Sequence, residues 1–147
     1  MSRLVQATSA AQIDAVRKLF AEYVRVVDAP ACFVGFEQEL ASLPGEYRLF
    51  LADGDAGCVA LRLLTAETAE MKRLYVRPAH RGQGLGRALA ERAIAAAQEA
   101  RCGRIVLDTL PQMREAQAMY ALLGFKPIGP YLREPTPGAL CFELRLS

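Results

Sequence analysis

The stretch Arg81-Gly82-Gln83-Gly84-Leu85-Gly86 decides which fold this chain adopts, because it joins a strand-like segment to a long, alanine-rich helical segment. The first turn of a helix carries N–H groups without intrahelical partners and the positive end of the helix macrodipole. Glycines allow the backbone of such a turn to close around phosphate oxygens, because they have no Cβ atom. The stretch therefore predicts a site for a phosphate-bearing ligand at the start of this helix.

Two common glycine-rich loops do not match this stretch. A P-loop requires Lys followed by Ser or Thr after its second glycine, and no such pair follows here. A dinucleotide-binding loop requires Gly-x-Gly-x-x-Gly, whereas the glycines at 82, 84 and 86 are evenly spaced. The pattern that fits is Arg/Gln-x-x-Gly-x-Gly/Ala, satisfied by Arg81, Gly84 and Gly86. A glycine-rich turn that only caps the helix would have a similar sequence.

The length of 147 residues, with 52% hydrophobic and 23% charged, is typical of one globular domain, which we expect to span residues 1–147. The chain has no signal-peptide-like start and no run of about 18 apolar residues, so we expect a cytoplasmic protein that binds no membrane. Its cysteines are scattered and it has a single histidine, so we expect free buried thiols and no metal. The cysteines are Cys32, Cys58, Cys102 and Cys141.

The basic residues are concentrated around the glycine stretch. Residues 72–104 contain eight basic and two acidic side chains, whereas residues 1–71 contain six basic and ten acidic ones. This excess indicates a small polyanionic ligand, although a solvated helix face would account for Arg92 and Arg101. Nucleic acid is not expected, because interleaved aromatic residues are missing and the net charge is only +2. The eight are Lys72, Arg73, Arg77, Arg81, Arg87, Arg92, Arg101 and Arg104.

The hydrophobic pattern predicts the order β-α-α-β-β-β-α-β-α-β-β in a mixed α/β domain. A capping box at Ser9 and Gln12 begins the first helix, which Pro30 ends. Gly103 supplies a stop after the long helix, and a second capping box at Thr109 and Gln112 begins the last helix. The predicted strands are 3–7, 47–52, 58–64, 69–76, 104–109, 125–128 and 139–146, and the other helices are 36–42 and 84–100, with a proline-rich loop at 129–138.

Four segments in this order resemble the GNAT superfamily of N-acetyltransferases: Glu-Met-Lys-Arg-Leu-Tyr-Val (70–76), the glycine stretch, Leu-Asp-Thr-Leu (107–110) and Ala-Met-Tyr-Ala-Leu-Leu-Gly-Phe (118–125). The resemblance covers nearly the whole chain. It implies the GNAT fold, a mostly antiparallel mixed sheet of about seven strands flanked by about four helices. It also implies an acyl-CoA-dependent N-acyltransferase that moves acetyl from acetyl-CoA, or another short acyl group, to a primary amine by direct attack in a ternary complex.

Two rival functions stay open at this point. One is transfer to a protein, either to a lysine side chain or to an N-terminal amine. The other is an acyl-CoA-binding module that regulates without catalysis. The acceptor is thus a small-molecule amine or a peptide amine, and a homodimer formed through a C-terminal strand is possible.

By the same resemblance, the strand before the glycine stretch binds the pantetheine arm through its backbone and offers an N–H to the thioester oxygen. Leu74, Tyr75 and Val76 lie nearest to its splayed end. The pyrophosphate then meets the amides of Arg81, Gly82, Gln83, Gly84, Leu85, Gly86 and Arg87. Arg81 either adds charge to this site or is an ordinary surface arginine.

Glu70 is the candidate general base. It lies eleven residues before Arg81, where the resemblance places the catalytic glutamate of histone-type members. Strand alternation puts Glu70 on one face with Lys72 and Leu74 before any bulge. A carboxylate in a partly buried pocket has its pKa raised, which suits a base acting through water. The alternative is an ion pair with Lys72 or with a neighbouring strand.

Tyr120 is the candidate general acid that protonates the coenzyme A thiolate. Its helical spacing with Met113, Ala116 and Leu123 predicts a buried face. The family places the tyrosine that faces the thiol sulfur in a Tyr-x-x-x-Gly-Phe pattern, here Tyr120 with Gly124-Phe125. The alternative is a core tyrosine bonded to a backbone carbonyl.

The acceptor site is less well defined by the sequence. Tyr47 and Tyr131, each beside a flexible turn, are the candidate substrate-binding residues. We interpret Asp108 as a turn residue, Thr109 as a cap and His80 as solvent-exposed. A covalent acyl-enzyme is not expected, because no Ser/His/Asp or Cys/His arrangement is near. Acidic residues that could attract a cationic amine are Asp28, Glu37, Glu39 and Glu46.

Overall fold

The computed structural model describes residues 3–27 and 35–146, and all elements below lie within these ranges. Seven strands form one sheet in the order β1-β2-β3-β4-β5-β7-β6. Neighbouring strands are antiparallel except β4 and β5, which are parallel, so the predicted mixed sheet is confirmed. The strands are β1 (Leu4–Gln6), β2 (Arg48–Ala52), β3 (Gly57–Leu63), β4 (Thr68–Val76), β5 (Arg104–Thr109), β6 (Lys126–Ile128) and β7 (Leu140–Arg145).

Helices cover both faces of this sheet. Within the described ranges they are α1 (Ala10–Val26), α2 (Phe36–Ser42), α3 (Leu85–Glu99) and α4 (Arg114–Leu122). Helices α1 and α2 pack on one face, where Phe20 and Leu49 are buried, and α3 and α4 pack on the other, where Leu89 and Ile105 are buried. Apolar residues recur every three or four positions in α1 and α3, so each helix buries one stripe against the sheet.

The start of α1 confirms the first predicted capping box. The Gln12 N–H donates to Ser9 Oγ at 3.2 Å, and the Ser9 N–H donates to Gln12 Oε1 at 3.1 Å. Together they satisfy N–H groups that the first turn leaves without helical partners. The helix ends at Val26, and Asp28, Pro30 and Cys32 lie outside the described residues.

The second predicted capping box is wrong. Helix α4 begins at Arg114 with Met113 as its N-cap, and no side chain caps it. Residues 110–113 form a turn first, in which the Met113 N–H donates to the Leu110 carbonyl at 3.0 Å. The Gln117 side-chain amide donates to the same carbonyl at 2.9 Å, so a residue in the first turn of α4 fixes the turn that precedes the helix.

The predicted stop at Gly103 is also wrong. The chain leaves α3 through Arg101, whose φ of 63° is left-handed, and the Cys102 N–H donates to the Ala97 carbonyl at 3.1 Å. Gly103 instead allows the close approach of Glu67, because a Cβ at residue 103 would lie 3.1 Å from a Glu67 carboxylate oxygen.

Strand β4 separates from β5 partway along the sheet. The two strands pair only over three positions, from Thr68 opposite Arg104 to Glu70 opposite Val106. Beyond Glu70 no strand in the described part of the chain pairs with β4 on this side, and β5 continues to Thr109 paired with β7. The sheet therefore opens into a V between residues 71–76 and the end of β5.

A β-bulge changes the direction of side chains within β4. The pairing with β3 shifts by one residue between Cys58 and Ala60, and Arg73 has a left-handed φ of 59°. Glu70 and Lys72 share one face as predicted, and it is the α1 side, but Leu74 is turned to the α3 side and Tyr75 packs on the α1 side. The expectation that Leu74 shares the face of Glu70 is therefore wrong beyond the bulge.

Smaller predictions have mixed outcomes. Strand β2 begins one residue late, because the Tyr47 N–H closes a turn with the Pro44 carbonyl at 2.8 Å. Cys58, Cys102 and Cys141 are free and buried as expected. No helix among the described residues has the length and apolarity needed to cross a membrane. No group of three or more His, Cys, Asp or Glu in residues 3–27 and 35–146 is arranged to hold a metal ion.

Candidate active site

The glycine turn has the backbone conformation that its sequence predicts. Gly82 and Gly84 have φ of 80° and 78°, in the left-handed region that side chains with a Cβ rarely adopt. Gly84 is the N-cap of α3 and no side chain caps this helix. A Cβ on Gly86 would meet only Met119 Sδ and Val76 Cγ2 at 3.8 Å, so the protein's own packing leaves room there. The turn therefore leaves the first amides of α3 to a ligand.

A cleft of about 760 Å³ lies against this turn, and we call it the glycine-turn cleft. Its walls are the end of β4, the glycine turn and the start of α4, so it begins where β4 has left β5. Leu74, Tyr75 and Val76 line it, as do all predicted turn residues except Gln83. Arg81, which is exposed, donates through Nε to the Val76 carbonyl at 3.0 Å and so links the turn to β4.

The predicted basic patch is smaller than the sequence suggests. Arg73 pairs with Glu39 and Arg77 with Glu22, at 2.9 and 2.5 Å, so neither is a free counter-charge for a ligand. The arginines that line the glycine-turn cleft are Arg81, Arg87 and Arg114, and His80, which was expected to be solvent-exposed, is half-buried and lines it as well. Arg114 was missed because it lies on α4, outside the basic segment of the sequence.

A second, smaller cavity of about 70 Å³ passes through the V, and we call it the central cavity. Its lining includes Leu74 of β4, Asp108 at the end of β5, Tyr23 from α1 and Tyr120 from α4. Because α1 and α4 cover opposite faces of the sheet, the cavity connects the two faces. This is the place where groups bound from the two sides can meet.

Tyr120 lies at this meeting point. Its ring packs near Phe125 and Phe142, with centroids 5.6 and 6.5 Å away. Among the described residues its hydroxyl has no hydrogen-bond partner, so the predicted alternative of a bond to a backbone carbonyl is not found. Burial, and then the nearby Tyr23 and Asp108, raise the pKa of the phenol above its usual value of 10.0. Tyr120 is thus a protonated group that borders the cavity.

Glu70 is fully buried and both of its carboxylate oxygens are engaged. Arg62, its cross-strand neighbour on β3, donates Nε to Oε1 at 2.6 Å. Tyr131 donates its hydroxyl to Oε2 at 2.5 Å. The predicted alternative of an ion pair with a neighbouring strand is confirmed, and the partner is Arg62 instead of Lys72. Glu70 lines neither of the two cavities described above.

The two predicted acceptor tyrosines belong to one connected set of side chains. Arg62 also binds Glu46 at 3.0 Å, and its guanidinium lies 5.9 Å from the centroid of the Tyr47 ring. Tyr131 joins the set through Glu70. We call these five residues, Arg62, Glu70, Tyr131, Glu46 and Tyr47, the polar network.

An outer cavity of about 390 Å³ lies beside the polar network, between α2 and β4. Tyr47 and Arg62 line it, as do Glu39 and Glu46. The Tyr47 hydroxyl donates to Glu39 Oε1 at 2.8 Å. Of the acidic residues that we predicted at the acceptor site, Glu39 and Glu46 therefore reach a cavity, and Glu39 is committed to Arg73 as well.

Lys72 and Asp108 are the residues that sequence reasoning undervalued. Lys72 lines both the central and the outer cavity. Asp108 was interpreted as a turn residue, but its carboxylate borders the central cavity beside Tyr120. Burial raises the pKa of Asp108, Lys72 lowers it and Glu70 raises it. Strand alternation could have placed Asp108 on the face of Glu70, because it lies two residues after Val106, the partner of Glu70.

Comparison with known proteins identifies the family. Residues 13–125 match the acetyltransferase (GNAT) family model. An uncharacterized N-acetyltransferase of Schizosaccharomyces pombe is 32% identical over 145 residues, which cover 92% of this chain and 89% of the relative. The chain belongs to the acetyltransferase (GNAT) family and is an enzyme of the N-acetyltransferase class.

Solved structures agree with this fold. An acetyltransferase from Streptococcus agalactiae superposes with a TM-score of 0.79 at 19% identity, covering 99% of this chain and 98% of that one. A GNAT family acetyltransferase from Elizabethkingia anophelis with acetyl-CoA bound superposes with a TM-score of 0.71 at 20% identity, again covering 99% and 98%. At these identities the likeness shows the fold, and the GNAT fold predicted from the sequence is confirmed.

Proposed function

We propose that this protein transfers an acetyl group from acetyl-CoA to the primary amine of a small molecule, by direct attack within a ternary complex. The observation that supports this most is the V between β4 and β5. It joins a cleft with free helix-start amides to a cavity that holds a protonated tyrosine and opens to both sheet faces.

The glycine-turn cleft suits the coenzyme A half of the donor. Helix-start amides at a left-handed glycine turn bind phosphate oxygens, and Arg81, Arg87 and Arg114 add positive charge. The edge of β4 beyond Glu70 has no strand partner among the described residues, so it is open to an extended, amide-containing arm. An acetyl-CoA-bound neighbour with the same fold supports the choice of donor.

Tyr120 acts in this proposal as the general acid. The amine nitrogen bonds to the thioester carbon, the carbon–sulfur bond breaks, and Tyr120 gives its phenolic proton to the departing sulfur. Its raised pKa keeps the phenol protonated in the resting enzyme, so the proton is present when the sulfur departs. The proton that the nitrogen loses on forming the amide then restores the phenol through solvent, so the step balances.

Glu70 stays a predicted base, and its surroundings define what that role requires. Direct contact with an amine would require Tyr131 to leave Glu70 Oε2, because Arg62 holds the other oxygen. Glu70→Gln separates the two roles. If Glu70 is the base, the substitution lowers kcat and removes the acidic limb of the pH–rate profile. If Glu70 is only a structural ion-pair partner, the substitution mainly lowers the melting temperature Tm.

The experiment that tests the proposed function has two parts. Calorimetric titration with acetyl-CoA and with coenzyme A measures donor binding, for which we expect saturable binding of both. Thiol release is then measured with acetyl-CoA and a panel of amines, amino acids and peptides. Failure to bind coenzyme A, or binding without thiol release above background for every acceptor, would contradict the proposal.

A further inference from the structure

We propose that the acceptor is a small zwitterion, an amino acid or a close analogue, whose ammonium group lies against Asp108 and whose carboxylate lies against Lys72. The proposal rests on the proposed function, because it names the acceptor of that same reaction. It begins from two opposite charges that share one cavity without binding each other.

Lys72 and Asp108 both line the central cavity and lie on the same face of the sheet. Each affects the other's charge, since Lys72 lowers the pKa of Asp108, yet no ion pair joins them. Within residues 3–27 and 35–146, Lys72 has no ion-pair partner, and the Asp108 carboxylate forms no ion pair and no hydrogen bond to another side chain. The gap between the two charges is therefore available to a ligand with one group of each sign.

The other cations beside this site are already neutralised. Arg62 binds Glu70 and Glu46, and Arg73 binds Glu39. In the described part of the site, Lys72 is thus the half-buried cation that has no ion-pair partner and can bind an anionic group of a ligand. Its charge repels a simple cationic amine, a polyamine or a protein lysine, and it attracts a carboxylate. A polypeptide N-terminus carries no carboxylate close to its amine, so it fits less well.

The outer cavity gives the acceptor's side chain a place to lie. Lys72 lines this cavity as well as the central cavity, so in the proposed arrangement the acceptor's side chain lies in the outer cavity, which Tyr47 and Glu46 also line. With about 390 Å³ available, the cavity accommodates the side chain of an ordinary amino acid.

Asp108 then takes the first proton from the acceptor. The ammonium group loses one proton to the Asp108 carboxylate, and the free amine attacks the thioester as described above. Asp108 afterwards returns this proton to solvent. Desolvation raises the pKa of Asp108 towards the working pH, which suits this exchange. The groups that act on this titration are Glu70, Lys72 and Arg73 of β4, Tyr120 of α4, Tyr131 of the proline loop and Cys141 of β7.

The test measures thiol release from acetyl-CoA with the free L-amino acids, their α-amides and the matching decarboxylated amines. For at least one amino acid we expect kcat/KM to be about tenfold or more above that of its amide. The reason is that the carboxylate forms a charged hydrogen bond with Lys72 and the amide does not. Lys72→Gln should bring the ratio of acid to amide close to one, mainly by raising KM of the acid. Lys72→Arg should keep the ratio above one, and Lys126→Gln, the same change on an exposed residue of β6, should leave it unchanged.

Asp108→Asn tests the other end of the acceptor. We expect kcat to fall about 100-fold, the acidic limb of the pH–rate profile to disappear, and coenzyme A to bind as before. An unchanged limb would overturn the role of Asp108.

Other outcomes separate this inference from the proposed function. Turnover that favours amides, polyamines or peptides, or a Lys72→Gln variant that slows acid and amide equally, would overturn the zwitterion and leave an acetyltransferase. Absence of thiol release with every acceptor would overturn both.

Discussion

The glycine-turn cleft and the polar network lie at opposite ends of the V and are built in opposite ways. The cleft is made by backbone over a short stretch of sequence, with two left-handed glycines and the first amides of α3. The polar network is made by side chains from the turn before β2, from β3 and β4, and from the loop before β7, which meet only in the folded protein. A backbone site tolerates side-chain changes, whereas a network of buried charges fails when one member is removed.

Removal of Arg62 should have the largest effect on stability. Arg62→Gln leaves the fully buried Glu70 with Tyr131 as its remaining partner, and an uncompensated buried charge costs about 3 kcal/mol. Urea unfolding at pH 7 measures this loss. The double variant Arg62→Gln with Glu70→Gln removes both charges and should recover part of the stability. A double variant no more stable than Arg62→Gln would show that the buried charge is not the cause.

Tyr120→Phe tests the point where the two regions meet. The ring contacts with Phe125 and Phe142 stay, so we expect kcat to fall about 100-fold while Tm and coenzyme A affinity change little. Steady-state thiol release, with calorimetry on the same preparation, makes the comparison. Unchanged turnover would remove the general acid from the mechanism.

Gly84→Ala tests the backbone site. A Cβ meets no atom within 4 Å there, but a φ of 78° strains an L residue by about 1–2 kcal/mol. We expect weaker binding of coenzyme A, by about tenfold, as the strain shifts the turn. Gly129→Ala is the matched control, because Gly129 has open space and no left-handed φ. Equal effects of the two variants would mean that left-handed geometry is not what the site requires.

The smallest effect is expected from pH. Because burial raises the pKa of Asp108 above 3.8, the folded protein favours the neutral form of Asp108 more than the unfolded chain does. This contribution to stability is present below pH 3.8 and is lost as pH rises through the raised pKa. Asp108→Asn should therefore increase Tm slightly at pH 8, and the difference should shrink as pH falls towards 4. A difference that does not depend on pH would count against a destabilising charge at Asp108.

The same contrast explains how much the sequence could predict. The three glycines in six residues, the first capping box and the hydrophobic periodicity of each strand and helix are signals within short stretches of sequence. The fold, the turn at 81–86 and the burial of Tyr120 were therefore predictable. The partner of Glu70 depends on the β3–β4 register, and the free charge of Lys72 depends on which arginines Glu39 and Glu46 bind. These are outcomes of three-dimensional packing. The bulge at Arg73 could not be predicted either, because arginine, unlike glycine or asparagine, is not a residue type that favours a left-handed φ.

The V also gives the sheet an unusual kind of edge. Exposed strand edges invite pairing with strands of other molecules, and proteins normally shorten, charge or cover them. Here the open edge of β4 lies inside the sheet, with β5 diverging beside it and α1 and α4 on either side. This edge is therefore covered against pairing with other molecules, although no strand in residues 3–27 and 35–146 pairs with it beyond Glu70.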